Sequence, residues 1–329
     1  MIDVVVIGGY LGSGKTSLVN HLLRTGTGRS TLVLVNDFGA VAVEPELVTA
    51  SDGELLTLAN GCVCCSLSSP LIETLVALRE RADRPELLVI ETSGVADPEP
   101  IAHHAMIPGF RLAGIVVVAD AETVRARSEH ALVGRTVQRQ LTAAGLVVLN
   151  KVDLVASAER DRLHAWLAIA APSAVVVDAQ HGEVPVALVV GPDLATATPG
   201  IGEPDDHDHP TDHDHDHPAD HDHDDHDHAA TDPHRTITWR AGGPVDREAL
   251  LAILGDVDAG IVRAKGVLTF ADRPDRQEMV QVVGRRVHLT ALPDRARDTA
   301  ADGRLVLIGL PPHFDPAALE AHLHTTRAE

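Results

Sequence analysis

Aromatic side chains are nearly missing from this chain, with four Phe, two Trp and one Tyr in 329 residues. Its core must therefore be built from Val, Leu, Ile and Ala. Cysteine is scarce as well, and an odd three thiols exclude a complete disulfide framework. Reduced thiols in a reducing compartment, hence the cytoplasm, are the expectation. Cations are outnumbered, 27 Lys and Arg against 48 Asp and Glu, and the net charge of -21 argues against nucleic acid or an anionic membrane surface as main partner. Apolar runs such as "GIVVVAD" are too short to span a bilayer. The start, "MIDVVVIGG", lacks the basic region that opens a signal peptide.

The negative charge is uneven. Residues 201–230 hold eleven Asp and one Glu with no Lys or Arg, which leaves -9 for the rest, an ordinary value for a soluble protein. Within this stretch, 205–228 reads "DDHDHPTDHDHDHPADHDHDDHDH". It has nothing apolar beyond Ala and Pro and cannot form a core.

On either side of it the chain is apolar enough to fold, at 44% overall, and long enough for two domains. Residues 2–7, 31–35, 87–91, 115–119, 146–149 and 174–177 read as strands. Their near-continuous apolar character suits a parallel sheet covered on both faces. Helical spacing lies between them: Leu67, Leu71, Leu75 and Leu78 share one face, as do Leu163, Leu167 and Ala170. The expectation is an α/β domain over 1–190, a flexible linker over 191–233, and a small α+β domain over 234–329. In the last, strands are expected at 235–240, 261–271, 278–284 and 304–309. Helices are expected at 246–255, after Asp246, and at 316–325, opening at the proline of "HFDP".

"GYLGSGKT" at 9–16 follows the first expected strand and matches G-x-x-x-x-G-K-[ST]. Gly9, Gly12 and Gly14 let the backbone turn so that its N–H groups, including that of Ser13, converge on phosphate oxygens. Lys15 reaches the terminal phosphates, Thr16 offers a hydroxyl to Mg²⁺, and Ser17 continues a helix whose N-terminus faces the anion. "LVVLNKVD" at 146–153 names the base. The Asp153 carboxylate matches the ring N–H and amino group of guanine, which adenine does not offer in that arrangement, while Asn150 and Lys151 brace and cover the base. GTP and GDP are the expected nucleotides.

Two further stretches belong to this site in expectation. "LLVIETSG" at 87–94 places Glu91 near Mg²⁺ and the Gly94 amide near the γ-phosphate. "VNDFGAVAVE" at 35–44 reads as a switch segment with Asp37 toward Mg²⁺ or the attacking water. An ordinary polar loop at a strand end is the plainer alternative for both. No glutamine is evident to position water, so hydrolysis is expected to be slow.

All three cysteines fall in "LANGCVCCSL" at 58–67: Cys62, Cys64 and Cys65. Thiolates favour Zn²⁺ and other soft or borderline ions, and structural zinc normally takes four ligands. Three sulfurs leave a position for water, another side chain or a partner, which suits transfer. Burial as small hydrophobes is a plainer reading, as is a redox pair, although one intervening residue differs from the usual C-x-x-C.

In that order, "GYLGSGKT", "GCVCC", "ETSGVADP" and "NKVD" resemble the CobW-like family of metallochaperone GTPases. "RAKGVLTF" at 263–270 resembles the opening of that family's C-terminal domain. The resemblance implies a P-loop GTPase that delivers zinc, cobalt or another divalent ion to a metal-requiring client protein. By position it assigns metal binding to Cys62, Cys64 and Cys65, the Walker B acid to Glu91, and guanine recognition to Asn150, Lys151 and Asp153. The family's switch usually reads N-E-F-G-E; here "NDFGA" shortens the first acid to Asp37 and replaces the second with Ala40.

Neutral imidazoles bind Zn²⁺, Ni²⁺, Cu²⁺ and Co²⁺, so His207, His209, His213, His215, His217, His221, His223, His226 and His228 read as a low-specificity reservoir, with a solubilising spacer as the alternative. Nickel or cobalt handling for metalloenzyme assembly, and a metal buffer with a nucleotide switch, stand beside the zinc reading. A homodimer is compatible with all of them.

Overall fold

The computed structural model describes residues 1–35, 53–57, 68–192, 200–201, 234–292 and 303–328. The first half folds on a seven-stranded parallel sheet: β1 (Ile2–Gly8), β2 (Thr31–Val35), β3 (Gly53–Thr57), β4 (Leu87–Glu91), β5 (Phe110–Asp120), β6 (Leu146–Asn150) and β7 (Val175–Ala179). Their spatial order is β3-β2-β4-β1-β5-β6-β7. Among the described residues seven α-helices accompany them: α1 (Lys15–Thr25), α2 (Ser68–Glu80), α3 (Pro98–His104), α4 (Val124–Glu129), α5 (Gly134–Ala143), α6 (Ser157–Ala170) and α7 (Val186–Val190).

The all-apolar strands follow from burial on both faces. Val4 and Val6 of β1 pack with α2, α3, α5 and α6, whereas Val5 and Ile7 pack with α1 and α7. Period-two alternation thus feeds two cores from one strand. Each such side chain contributes about 1.5–3 kcal/mol when fully buried, and branched aliphatics fill both layers without aromatics. The expected strands are present. β3 was not anticipated, because "GELLT" is five residues with a charge and no alternation.

The second unit is a six-stranded antiparallel sheet, ordered β12-β11-β10-β13-β9-β8. Its strands are β8 (Gly200–Ile201), β9 (Arg235–Arg240), β10 (Ile261–Phe270), β11 (Arg273–Val283), β12 (Arg286–Ala291) and β13 (Arg304–Gly309). β8 joins from within the stretch expected as linker. Helices α8 (Arg247–Gly255) and α9 (Pro316–His324) bury Leu250, Leu254, Leu319 and Leu323 with Trp239, Phe270 and Phe314. Asp246 and Asp315 cap them, accepting from the main-chain N–H groups of Ala249 and of Ala317 and Ala318.

The two units share core and charge. Val262 and Ile308 pack with α1 and α7 of the first unit. Arg263 is fully buried and donates to the carbonyls of Leu188, Val189 and Ala113 at 2.6, 2.6 and 3.0 Å. Ala113 is the extra residue of a bulge, since Val4 pairs with Leu112 and Val5 with Gly114. The bulge frees that carbonyl from the ladder. Lys265 Nζ lies 2.6 Å from Asp3 Oδ2. Asp3 is near the start of β1 and the phosphate loop follows its end, ~20 Å along the strand. The second unit therefore docks away from the edge where the nucleotide loops cluster.

Candidate nucleotide site

The sheet order brings the carboxyl ends of β1, β4, β5 and β6 side by side, and each carries a sequence-assigned residue or its brace. Residues 9–14 connect β1 to α1. Gly9, Gly12 and Gly14 have φ of 136°, 75° and 103°. Gly14 can be nothing larger, because a Cβ there would lie 2.2 Å from Asn150 Nδ2. Helix α1 opens at Lys15 with no side-chain cap, leaving first-turn N–H groups for an anion.

Lys15 is buried, with Nζ 3.5 Å from the Tyr10 carbonyl. Thr16 and Ser17 are exposed on the first turn of α1. Thr16 Oγ1 donates to Glu91 Oε1 at 2.8 Å, uniting the hydroxyl and the acid assigned to Mg²⁺. Ser13 is 1% exposed and its Oγ has no hydrogen-bond partner. A glycine cradle, uncapped N–H donors, a buried lysine, a hydroxyl–carboxylate pair and a buried unused hydroxyl suit a magnesium nucleotide.

On the base side, Asn150 is 2% exposed and ties three segments together. Its Nδ2 donates to the Ser13 carbonyl and its Oδ1 accepts from Gly182 N–H, both at 2.9 Å. Lys151 adopts φ 64° and donates to Asp120 Oδ2 at 2.8 Å. Asp153 is exposed in the short 3₁₀ turn Val152–Leu154, where its carboxylate is open to a base. Gly94 is buried beside the phosphate loop.

Three participants escaped the sequence reading. Asp120 ends β5 as Glu91 ends β4, an acid after a buried strand, and that signal was available. Gln140 is 1% exposed and donates to the carbonyls of Gly94 and Ala96 at 3.2 and 2.8 Å. It occupies an inward position of α5 beside Val137 and Leu141, so only a polar residue at an apolar spacing marks it. Gly182 follows β7 and had no motif to announce it.

Asp37, Cys62, Cys64, Cys65 and the nine histidines from His207 to His228 lie outside the described residues. Among the described residues no group of three or more His, Cys, Asp or Glu is arranged to hold a metal ion, and no helix is long and apolar enough to cross a membrane.

A parallel sheet whose first strand runs into a glycine loop, with N-K-x-D after β6, defines a P-loop nucleotide-binding protein followed by a second, antiparallel-sheet unit. The chain belongs to the CobW family: residues 3–178 match the CobW/HypB/UreG nucleotide-binding domain, and residues 234–327 match the cobalamin synthesis protein CobW C-terminal domain. It is 30% identical to the zinc chaperone CobW of a Sinorhizobium species, over 97% of this chain and 96% of that protein. It is 32% identical to the zinc chaperone CobW of Pseudomonas aeruginosa, over 99% and 92%. The Zn(II)-bound YjiA GTPase of Escherichia coli aligns over 99% of both chains with 22% identity and a TM-score of 0.46.

Proposed function

We propose that this protein is a GTP-hydrolysing zinc chaperone. It captures the ion on Cys62, Cys64 and Cys65 and hands it to a metal-requiring client under nucleotide control. Full-length relatives named zinc chaperones support the cargo, and the Asp153 chemistry supports guanine.

The observation that carries the coupling is a register. Thr57, the last residue of β3, pairs with Val35, and Val35 pairs with Glu91. The chain thus sets out toward Cys62 two strand spacings, ~10 Å, from the acid assigned to Mg²⁺. The same stretch of chain then enters α2. A change at the terminal phosphate can reach the start of the cysteine-bearing segment through β2, and Cys62 follows Thr57 by five residues in the sequence. Hydrolysis is slow in the isolated protein, and the His/Asp segment supplies weak, exchangeable sites that feed the cysteines.

The chain's own residues divide the work. Lys15 and the loop N–H groups hold the phosphates, Thr16 and Glu91 orient Mg²⁺, and Asp153 selects the base. When bound there, Mg²⁺ would supply neutralisation of the phosphate charge.

The test is metal competition on anaerobically reduced protein, with Zn²⁺, Co²⁺ and Ni²⁺, in GDP and in a non-hydrolysable GTP analogue. Tight Zn²⁺ binding that strengthens with the analogue and disappears in Cys64→Ala is expected. Equal affinity in both nucleotide states would defeat the coupling. Binding that survives cysteine loss would move the metal to the histidines.

A further inference from the structure

Arg127 on α4 donates from Nη1 to the Leu11 carbonyl at 2.7 Å. Its guanidinium carbon lies 5.1 Å from the centre of the Tyr10 ring, within cation–π reach. No motif marks this residue, yet it grips the two outer residues of the phosphate loop. Leu11 is 53% exposed and is followed by Gly12 at φ 75°.

The peptide between them has a direction. In a trans peptide the C=O and the following N–H point opposite ways. With the Leu11 carbonyl held on Arg127, the Gly12 N–H of the same peptide points away from Arg127.

Leu11 also supports the loop after β4. A Cβ on Gly94 would stand 2.8 Å from the Leu11 amide nitrogen and 2.6 Å from its Cδ2, so Gly94 rests directly on Leu11. From the other side, the Gly94 carbonyl is held by Gln140. Leu11 is thus clamped between Arg127 and the segment expected to meet the terminal phosphate.

We propose that Arg127 is a positioning residue for the nucleotide: by fixing Leu11 it orients the Gly12 N–H and sets where Gly94 lies, and so determines the preference for GTP over GDP. This rests on the reading of residues 9–16 as the phosphate cradle.

The experiment measures affinities of the full chain for GDP and a non-hydrolysable GTP analogue with Mg²⁺, alongside thermal unfolding, in wild type, Arg127→Ala and Arg127→Lys. Arg127→Ala should weaken the analogue ~10-fold, about one charge-assisted hydrogen bond, with GDP changed less than about twofold and an unchanged unfolding midpoint. Arg127→Lys keeps a cation able to donate to the Leu11 oxygen and should recover part of the analogue affinity. Equal losses for both nucleotides, or none in either variant, overturn the assignment. Wild-type protein that binds neither nucleotide overturns the phosphate-loop reading and the proposal with it; wild-type binding with the same ratio in all three proteins overturns Arg127 alone.

Discussion

Thr16 Oγ1 donates to Glu91 Oε1 across 2.8 Å, joining the first turn of α1 to the last residue of β4. The hydroxyl has a second function to offer, because its lone pairs remain available to a cation while its proton is held by the carboxylate. Thr16→Ala should abolish the gain in nucleotide affinity that Mg²⁺ gives. Glu91→Gln keeps an acceptor for Thr16 but removes the charge, and GTP hydrolysis should fall by ~10² or more. GDP binding without Mg²⁺ should be unaltered in both. Calorimetry with and without EDTA, beside a phosphate-release assay, separates the effects; an unchanged Mg²⁺ response in Thr16→Ala would remove this pair from the cation.

Asp153 stands exposed on its 3₁₀ turn, so replacing it disturbs recognition more than folding. In the proposed function its carboxylate accepts from the guanine ring N–H and amino group. Asp153→Asn presents an amide donor where the amino group was, and xanthine has a carbonyl at that position. The variant should lose GTP affinity by ~10²-fold or more, as sites built to hydrogen-bond a substrate group reject its absence strongly. It should gain affinity for xanthosine triphosphate. Competition between the two nucleotides reads the swap directly, and retained GTP preference would place the base elsewhere.

These residues were legible because their chemistry is local in sequence. Gly9 to Thr16 and Asn150 to Asp153 are short runs whose backbone the glycines and strand ends dictate. Of the braces, Asp120 carried a readable signal as an acid ending a buried strand, whereas Gln140, which holds Gly94, and Gly182, which holds Asn150, act across 46 and 32 positions of chain. Only the sheet order brings them near. The same holds for the strands: β1, β4 and β6 announce themselves as unbroken apolar runs, whereas β3 is defined by its pairing with β2. β12, "RVHLTA", was missed because its exposed edge position lets polar residues break the pattern.

Arg263 makes the association of the two units a folding matter. It is 1% exposed, donates to three main-chain carbonyls, and burial lowers its pKa to about 9. With no carboxylate among these partners, its charge is stabilised by carbonyl dipoles, two of them at the carboxyl end of α7. Arg263→Met would strand the Leu188, Val189 and Ala113 oxygens. A loss of at least about 3 kcal/mol in unfolding free energy is expected, since each stranded buried group costs about 1–3 kcal/mol. The unfolding transition should also broaden or split as the units part. A single transition at the wild-type midpoint in chemical denaturation would show that the junction holds without the arginine.

Asp3 gives the junction a pH dependence of definite sign. It is 3% exposed and faces three cations: Arg29 after α1 at 3.0 Å, Arg111 on β5 at 2.7 Å and Lys265 on β10 at 2.6 Å. Burial alone would raise its pKa, but Lys265 and Arg111 outweigh it and hold the carboxyl below the ordinary value. A carboxylate depressed in the folded state stabilises fully above its unfolded pKa of about 4, and this contribution is lost as pH falls through the folded pKa. Asp3→Asn leaves buried Lys265 and the partly buried Arg29 and Arg111 without this counter-charge and should cost about 3–5 kcal/mol at pH 7, as breaking a buried pair does. The difference between wild type and variant should stay constant from pH 7 to about 5 and shrink below about 4. Denaturant titrations of both proteins across that range cancel the other carboxylates to first order. A difference that persists unchanged to pH 2.5 would mean that Asp3 contributes shape and hydrogen bonds to the junction but not charge.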